Sequence, residues 1–193
     1  AKEFNVDDVP IDEESELSTK NINSPSPLVR ERMAKGEQIH TSLFATCVVD
    51  QLYPQVGVSV VKVLRRLGVE VDFPKNQTCC GQALFNSGFT QEARKLALRT
   101  LDIFDESEYI VIPSGSCTAM VRIFYPQLFH QDPIRLKQAK SLGKRVFEFS
   151  EFLVKILGVT NIGSEFQGKI AYHPSCHLLR ELEITKEPLT LLQ

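Results

Sequence analysis

The sequence predicts an α/β domain with a mostly parallel sheet flanked by helices. Short β-branched and aromatic runs recur along the chain, stretches with helical apolar spacing lie between them, and glycines or capping residues mark the joins. Strands separated by helices cannot pair as tight hairpins, and the crossover arrangement that remains makes neighbouring strands parallel.

The elements follow in order. A β-type run at residues 42–45 opens the globular part near Thr41. Residues 54–67 place Val56, Val60, Val63, Leu64 and Leu67 at helical spacing, and Gly68 ends that helix as a C-terminal cap. A second strand is expected at 69–73. Thr90 is the expected N-cap of a helix carrying Ala93, Leu96, Ala97, Thr100, Leu101 and Phe104 on its apolar face. Strands are expected at 109–112 and 146–149, a helix at 150–157 stopped by Gly158, and a fifth strand at 170–172. Residues 1–40 read differently. Their first twenty hold seven acids against Lys2 and Lys20, and Ser-Pro-Ser-Pro follows at 24–27. So charged and apolar-poor a stretch cannot offset its ordering entropy, and it is expected to be an extended or disordered acidic arm, free of the domain or wrapped on a partner.

The remaining residues suffice for a compact domain that buries roughly 70% of its unfolded surface and needs no disulfide staples. A formal net charge of −2 and a pI near 6.1 exclude the basic footprint of a nucleic-acid binder. No apolar run approaches the roughly 18 residues that span a bilayer. Five cysteines, an odd number with two adjacent, argue against a secreted disulfide framework and for a reducing compartment. That is the cytoplasm, or an organellar matrix or stroma if a transit peptide once preceded Ala1.

The cysteine positions carry the functional reading. Cys47, the pair Cys79–Cys80, Cys117 and Cys176 each lie just beyond an expected strand. In a parallel sheet those carboxyl ends share one edge, where ligand sites form. Helix starts after Cys47 and Cys117 favour thiolate, the form that binds metal. Gly81 lets backbone approach a bound group without a side chain, and the turn Ser114-Gly115-Ser116 can aim N–H groups at it or simply join strand to helix. Four thiolates suit an iron–sulfur cluster or a tetrahedral zinc, and residue types alone leave both open.

The spacing also resembles a known family. Cys47, 31 residues, Cys79-Cys80-Gly81, and then Cys117, with 36 residues between it and Cys80, resemble the CCG cysteine-rich domain of the heterodisulfide reductases and their relatives. Those include the iron–sulfur subunits of glycolate oxidase and anaerobic glycerol-3-phosphate dehydrogenase. The stretches SLFATCVVD, VDFPKNQTCCGQALFNSG, IPSGSCTAMV and AYHPSCHLLREL are most similar to the lactate-utilisation branch. The resemblance implies a CCG-type α/β fold, with a first cysteine-rich repeat at 41–168 and the start of an incomplete second at 169–193. It implies a [4Fe–4S] cluster on Cys47, Cys79, Cys80 and Cys117, with zinc as the alternative and Cys176 as a secondary ligand. It also implies an electron-transfer subunit of a complex oxidising a 2-hydroxy acid such as L-lactate or glycolate, with other subunits as partners. An accessory subunit that keeps only the fold, or a zinc-stabilised module without redox activity, are the alternatives. Two features depart from the family pattern. Met120 stands where its terminal C-x-x-C has a cysteine, and is expected to pack beside the site. Cys176 lacks a second Cys-Cys-Gly within the sequence.

Other constellations are weaker. Cys117-x4-Arg122 is one residue shorter than a phosphatase-type loop requires. His173 and His177 flank Cys176, but Pro174 keeps them off one helical face, so one is expected to line the site and the other to face solvent. Asp50 is expected to cap a helix. No G-x-G-x-x-G follows a strand, so a flavin or nicotinamide would belong to a partner.

Overall fold

The structure, a computed structural model, describes Val9 and residues 26–193, apart from the side chains of Leu28 and Met33. Four parallel strands form one sheet in the order β2-β1-β3-β4, where β1 is Ile39–Leu43, β2 Val69–Asp72, β3 Tyr109–Ile112 and β4 Val146–Glu148. Ile39 pairs with Val69, Thr41 with Tyr109 and Ile110 with Val146. The chain steps outward from β1 to β2, then crosses back to lay β3 on the other side of β1. That reversal opens a crevice beyond the carboxyl ends of β1 and β3.

Alternation along the strands divides the core in two. Ile110 and Ile112 of β3, with Phe44, meet α5 (Thr90–Ile103), α6 (Gly115–Ala119), α7 (Tyr125–Leu128) and α8 (Pro133–Gly143) on one face. Val111, Ile39 and Leu43 meet α1 (Pro27–Ala34), α3 (Pro54–Arg66) and the helical run after β4 on the other. Period-two alternation in a sheet covered on both faces produces this split.

The structure refines the expected elements. The fourteen-residue α5 begins at Thr90, but Phe89 occupies the cap position and the Thr90 hydroxyl donates to the Gly88 carbonyl at 3.2 Å. On α3 the buried face is Gly57, Val60, Val61 and Leu64, so the apolar stripe is rotated and Val56 is left exposed. The expected helix at 150–157 is the short α9 (Phe149–Glu151) continuing into a π-helical turn at Phe152–Ile156. A second π turn, Met120–Phe124, joins α6 to α7. Its cause is Pro126, which has no N–H for the Arg122 carbonyl and whose ring would collide with it, so the helix widens there.

The expected strand at 170–172 is absent. Those residues are irregular, with Ile170 55% and Tyr172 37% exposed, and no strand among the described residues pairs with them. The folded part also reaches back before residue 41. β1 begins at Ile39, and α1 buries Val29. Ser26 donates N–H to the Leu157 carbonyl and Oγ–H to the Ile156 carbonyl, both at 2.7 Å, closing the helical run that Gly158 ends. Val9 is buried too, its carbonyl accepting from Arg65 at 3.3 Å. The other residues of the acidic stretch, 1–8 and 10–25, lie outside the described residues.

Candidate metal centre

Three loops bring four thiols to the carboxyl edge of β2, β1 and β3. After β1, Thr46 caps α2 (Cys47–Leu52), its hydroxyl accepting from the Val49 N–H at 3.3 Å, which sets Cys47 at the first helical position. Asp50 therefore lies inside the helix and not at its cap. After β2, the Gln77 side chain replaces a strand partner: its amide donates to the Leu43 carbonyl at 2.8 Å and accepts from the Ala45 N–H at 3.1 Å. This ties the approach to Cys79 onto the end of β1. Gly81 then turns the chain with φ +86° into α4 (Gln82–Asn86), a conformation that costs an L-residue about 1–2 kcal/mol. After β3, the Ser114 hydroxyl caps α6 by accepting from the Cys117 N–H at 3.4 Å. The Gln82 side chain donates to the Ser116 carbonyl at 3.0 Å and joins the second loop to the third.

The sulfurs meet in two pairs. Cys47 and Cys79 are 3.6 Å apart, and Cys80 and Cys117 are 3.3 Å apart. Cys47 is exposed, Cys79 half-buried, and Cys80 and Cys117 buried at 3% and 9% exposure. Protons are shared unequally. The hydrogen bond from Cys80, with a further one from the Gly81 N–H at 3.4 Å, holds the Cys79 thiol down to about 5. Cys117 is lowered as well, first by the hydrogen bond from Cys80 and then by Ser114. Cys80, whose single S–H is shared between Cys117 and Cys79, is held far above the ordinary thiol range, and burial with donation to Cys79 pushes Cys47 up to about 11. At neutral pH the Cys47–Cys79 pair is a thiol beside a thiolate, and Cys117 is shifted in the same direction as Cys79.

Other sequence candidates fall elsewhere. Cys176 starts α10 (Cys176–Arg180), is exposed, and makes no sulfur contact with the four thiols. His177 rests edge-on against Phe124, ring centres 6.1 Å apart, and His173 is exposed. Met120 is fully buried in the core beneath the site. Gly115 turns its open face to α10: a Cβ there would stand 2.6 Å from Leu178 Cβ and 3.0 Å from the Ser175 hydroxyl. Arg122 pairs at 2.7 Å with the buried Glu151, which also takes Lys155 at 3.1 Å. Sequence reasoning missed Gln77, Gln82, Tyr125 and Glu151, whose roles rest on contacts between distant loops that no local pattern announces.

Fold and site together define an α/β domain that gathers cysteines at the switch point of a parallel sheet. Residues 41–122 match the family described as "CCG: Cysteine-rich domain". The chain is 49% identical over 150 residues to a "Lactate utilization protein A" of Bacillus pumilus, covering 78% of this chain and 63% of that one. It is 47% identical over 151 residues to the protein of the same name from Bacillus subtilis, and 48% identical over 152 residues to that of Oceanobacillus iheyensis, covering 78% and 79% of this chain and 63% and 62% of theirs. Residues 41–122 therefore carry a CCG cysteine-rich domain. It spans less than two thirds of the length of these curated relatives. Among the described residues no helix is long and apolar enough to cross a membrane.

The donor set fits a thiolate-bound metal group: four sulfurs at one edge, with the Cys79 and Cys117 thiols lowered toward thiolate. The four are not arrayed around a single point, and among the described residues no three His, Cys, Asp or Glu side chains are so arrayed for an ion. The separations within the pairs, 3.6 and 3.3 Å, are close to the roughly 3.8 Å edge of a tetrahedron of sulfurs around zinc, and a cubane needs its thiolates wider apart.

Proposed function

We propose that the chain is an iron–sulfur electron-transfer subunit of a complex that oxidises a 2-hydroxy acid, L-lactate or glycolate, and that Cys47, Cys79, Cys80 and Cys117 hold its [4Fe–4S] cluster. The convergence of four thiols at one sheet edge, in a chain similar to proteins named for lactate utilization, carries the reading. A bound cluster supplies one-electron storage at a potential set by burial and by hydrogen bonds to its sulfurs. The chain supplies those terms. Cys80 and Cys117 are shielded by the α5–α8 core, the Gly81 N–H points at the Cys79 sulfur, and Ser114 fixes the first turn of α6 around Cys117. Gly115 and Ser116 act on the site through the chain path, the first by admitting α10 and the second by anchoring Gln82. Cys47, exposed, and Cys79, half-buried, form the open side of the site, and a cubane would require both thiol pairs to widen. Residues 41–168 form one cysteine-rich repeat and 169–193 the start of a second. Other subunits of the oxidoreductase are the partners, and they carry whatever flavin or nicotinamide the oxidation uses.

The short sulfur separations favour a second reading, a zinc bound by the same four thiolates without electron transfer. A potentiometric titration of anaerobically purified protein separates the two. The electron-transfer reading expects a brown chromophore that bleaches and recovers reversibly with a single midpoint. A colourless protein that holds zinc and responds to no reductant overturns it and leaves the zinc reading.

A further inference from the structure

Tyr125 is a fully buried tyrosine aimed at the backbone of the thiol site. It begins α7, after the π turn that Pro126 imposes on the helix carrying Cys117, and that widening sets the angle at which its ring leaves the helix. Its phenol O–H donates to the Cys80 carbonyl at 3.0 Å, and its oxygen lies 3.1 Å from the Thr100 hydroxyl of α5, which is itself 3.1 Å from the Leu96 carbonyl. No other partner of the Cys80 carbonyl is found among the described residues. The carbonyl belongs to the peptide between Cys80 and Gly81, where the chain turns through the left-handed region and no strand or helix supplies a donor. A buried carbonyl without a donor is costly, so this hydrogen bond holds the turn in place.

We propose that Tyr125, backed by Thr100, is the positioning residue of the thiol site: through the Cys80 carbonyl it fixes the Cys79–Cys80 step against Cys117. The inference rests on the reading of these cysteines as the ligand set. The bare core alternative, a large aromatic that merely fills space beside Ala97, requires the ring and not the hydroxyl. Tyr125→Phe keeps the ring and removes the hydroxyl's contacts with Cys80 and Thr100, and Thr100→Val removes the backing hydroxyl while leaving the phenol.

The test uses the full chain, reduced and metal-free, alkylated with iodoacetamide under native conditions and read cysteine by cysteine by mass spectrometry. In Tyr125→Phe the Cys80 rate rises about tenfold, the factor that loss of one buried hydrogen bond produces, while the Cys117 rate stays within about twofold. Thr100→Val gives a smaller rise, about threefold, with the same selectivity, and carries the test alone if the first variant fails to fold. Exposed Cys47 is the internal reference. In chain reconstituted with iron and sulfide, Tyr125→Phe also speeds iron loss to a chelator. An unchanged Cys80 rate, or equal rises at Cys80 and Cys117 that track lost global stability, overturns the proposal. If wild-type chain takes up no iron, the electron-transfer reading fails, while the alkylation rates still decide the role of Tyr125.

Discussion

Replacing Gly115 by alanine tests how α10 is seated against the start of the Cys117 helix. Gly115 is the first residue of α6 and has no positive φ, so alanine there meets no backbone strain. On conformational grounds alone the change would stabilise the chain by about 0.4–1 kcal/mol. The surroundings reverse that sign. The new Cβ would stand 2.6 Å from Leu178 Cβ, 2.8 Å from Leu178 Cδ1 and 3.0 Å from the Ser175 hydroxyl. Non-bonded carbons settle about 3.5–4.0 Å apart, so α10 must withdraw by about 1 Å. Overpacking of this kind costs about 1–3 kcal/mol. Full withdrawal of the buried Leu178 side chain sets a ceiling of about the same size, 1.5–3 kcal/mol. Urea unfolding should therefore show a lowered midpoint at unchanged slope, and hydrogen exchange should show lost protection in residues 176–182. Leu178→Ala in the same background removes the Cδ1 collision but leaves the Cβ collision and gives up the leucine's own burial, so it should not restore wild-type stability. A Gly115→Ala variant as stable as the wild type or more so, with α10 still protected, would refute the packing argument.

Further outcomes follow from the same contacts. In metal-free chain, Cys79 should alkylate as a thiolate with an apparent pKa near 5, well before Cys47, whose thiol is pushed up to about 11; equal pH profiles for the two would remove the thiol–thiolate pairing. Glu148 accepts from the Ser150 and Glu151 N–H groups, and burial nevertheless raises its carboxyl above the usual 4.5. A raised folded value means that its contribution is fully present below 4.5 and is lost as pH rises through the raised value. Glu148→Gln, which keeps an acceptor, should flatten that part of the stability–pH curve, and an unchanged difference between wild type and variant across the window would count against it. Cys176→Ser should leave metal content unaltered, because Cys176 is exposed on α10 and forms no hydrogen bond with the four thiols; a large loss of metal would bring Cys176 into the site.

Much of the fold was legible because burial writes itself into short runs. The segments Val69–Asp72, Tyr109–Ile112 and Val146–Glu148 are β-rich, and their Val69, Val71, Ile110, Val111, Ile112 and Val146 are buried in a sheet covered on both faces. The same signal failed at 170–172, where Ile170 and Tyr172 are as β-prone as any true strand but lie exposed with no strand to pair among the described residues. Propensity registers how a residue fits a sheet and not whether one is at hand. The convergence of Cys47, Cys79, Cys80 and Cys117 was legible because parallel topology carries every strand end to one edge. What lay hidden depends on contacts across the fold: Gln77 standing in for a strand, Gly115 making room for Leu178, and Arg122 turned to Glu151. The folded segment from Ser26 to Gln38 was hidden for a related reason. Its charge and prolines suggest an arm, yet Val29 is buried and two Ser26 hydrogen bonds tie it to the end of the Phe152–Ile156 π turn.

The measurement that bears most directly on the central claim is the content of iron, labile sulfide and zinc in anaerobically purified wild-type chain and in Cys80→Ser. The account predicts iron and sulfide in equal amounts, about four of each per wild-type chain, and loss of most of both in the variant. Zinc in place of iron, or iron retained in full without the Cys80 thiol, would contradict it.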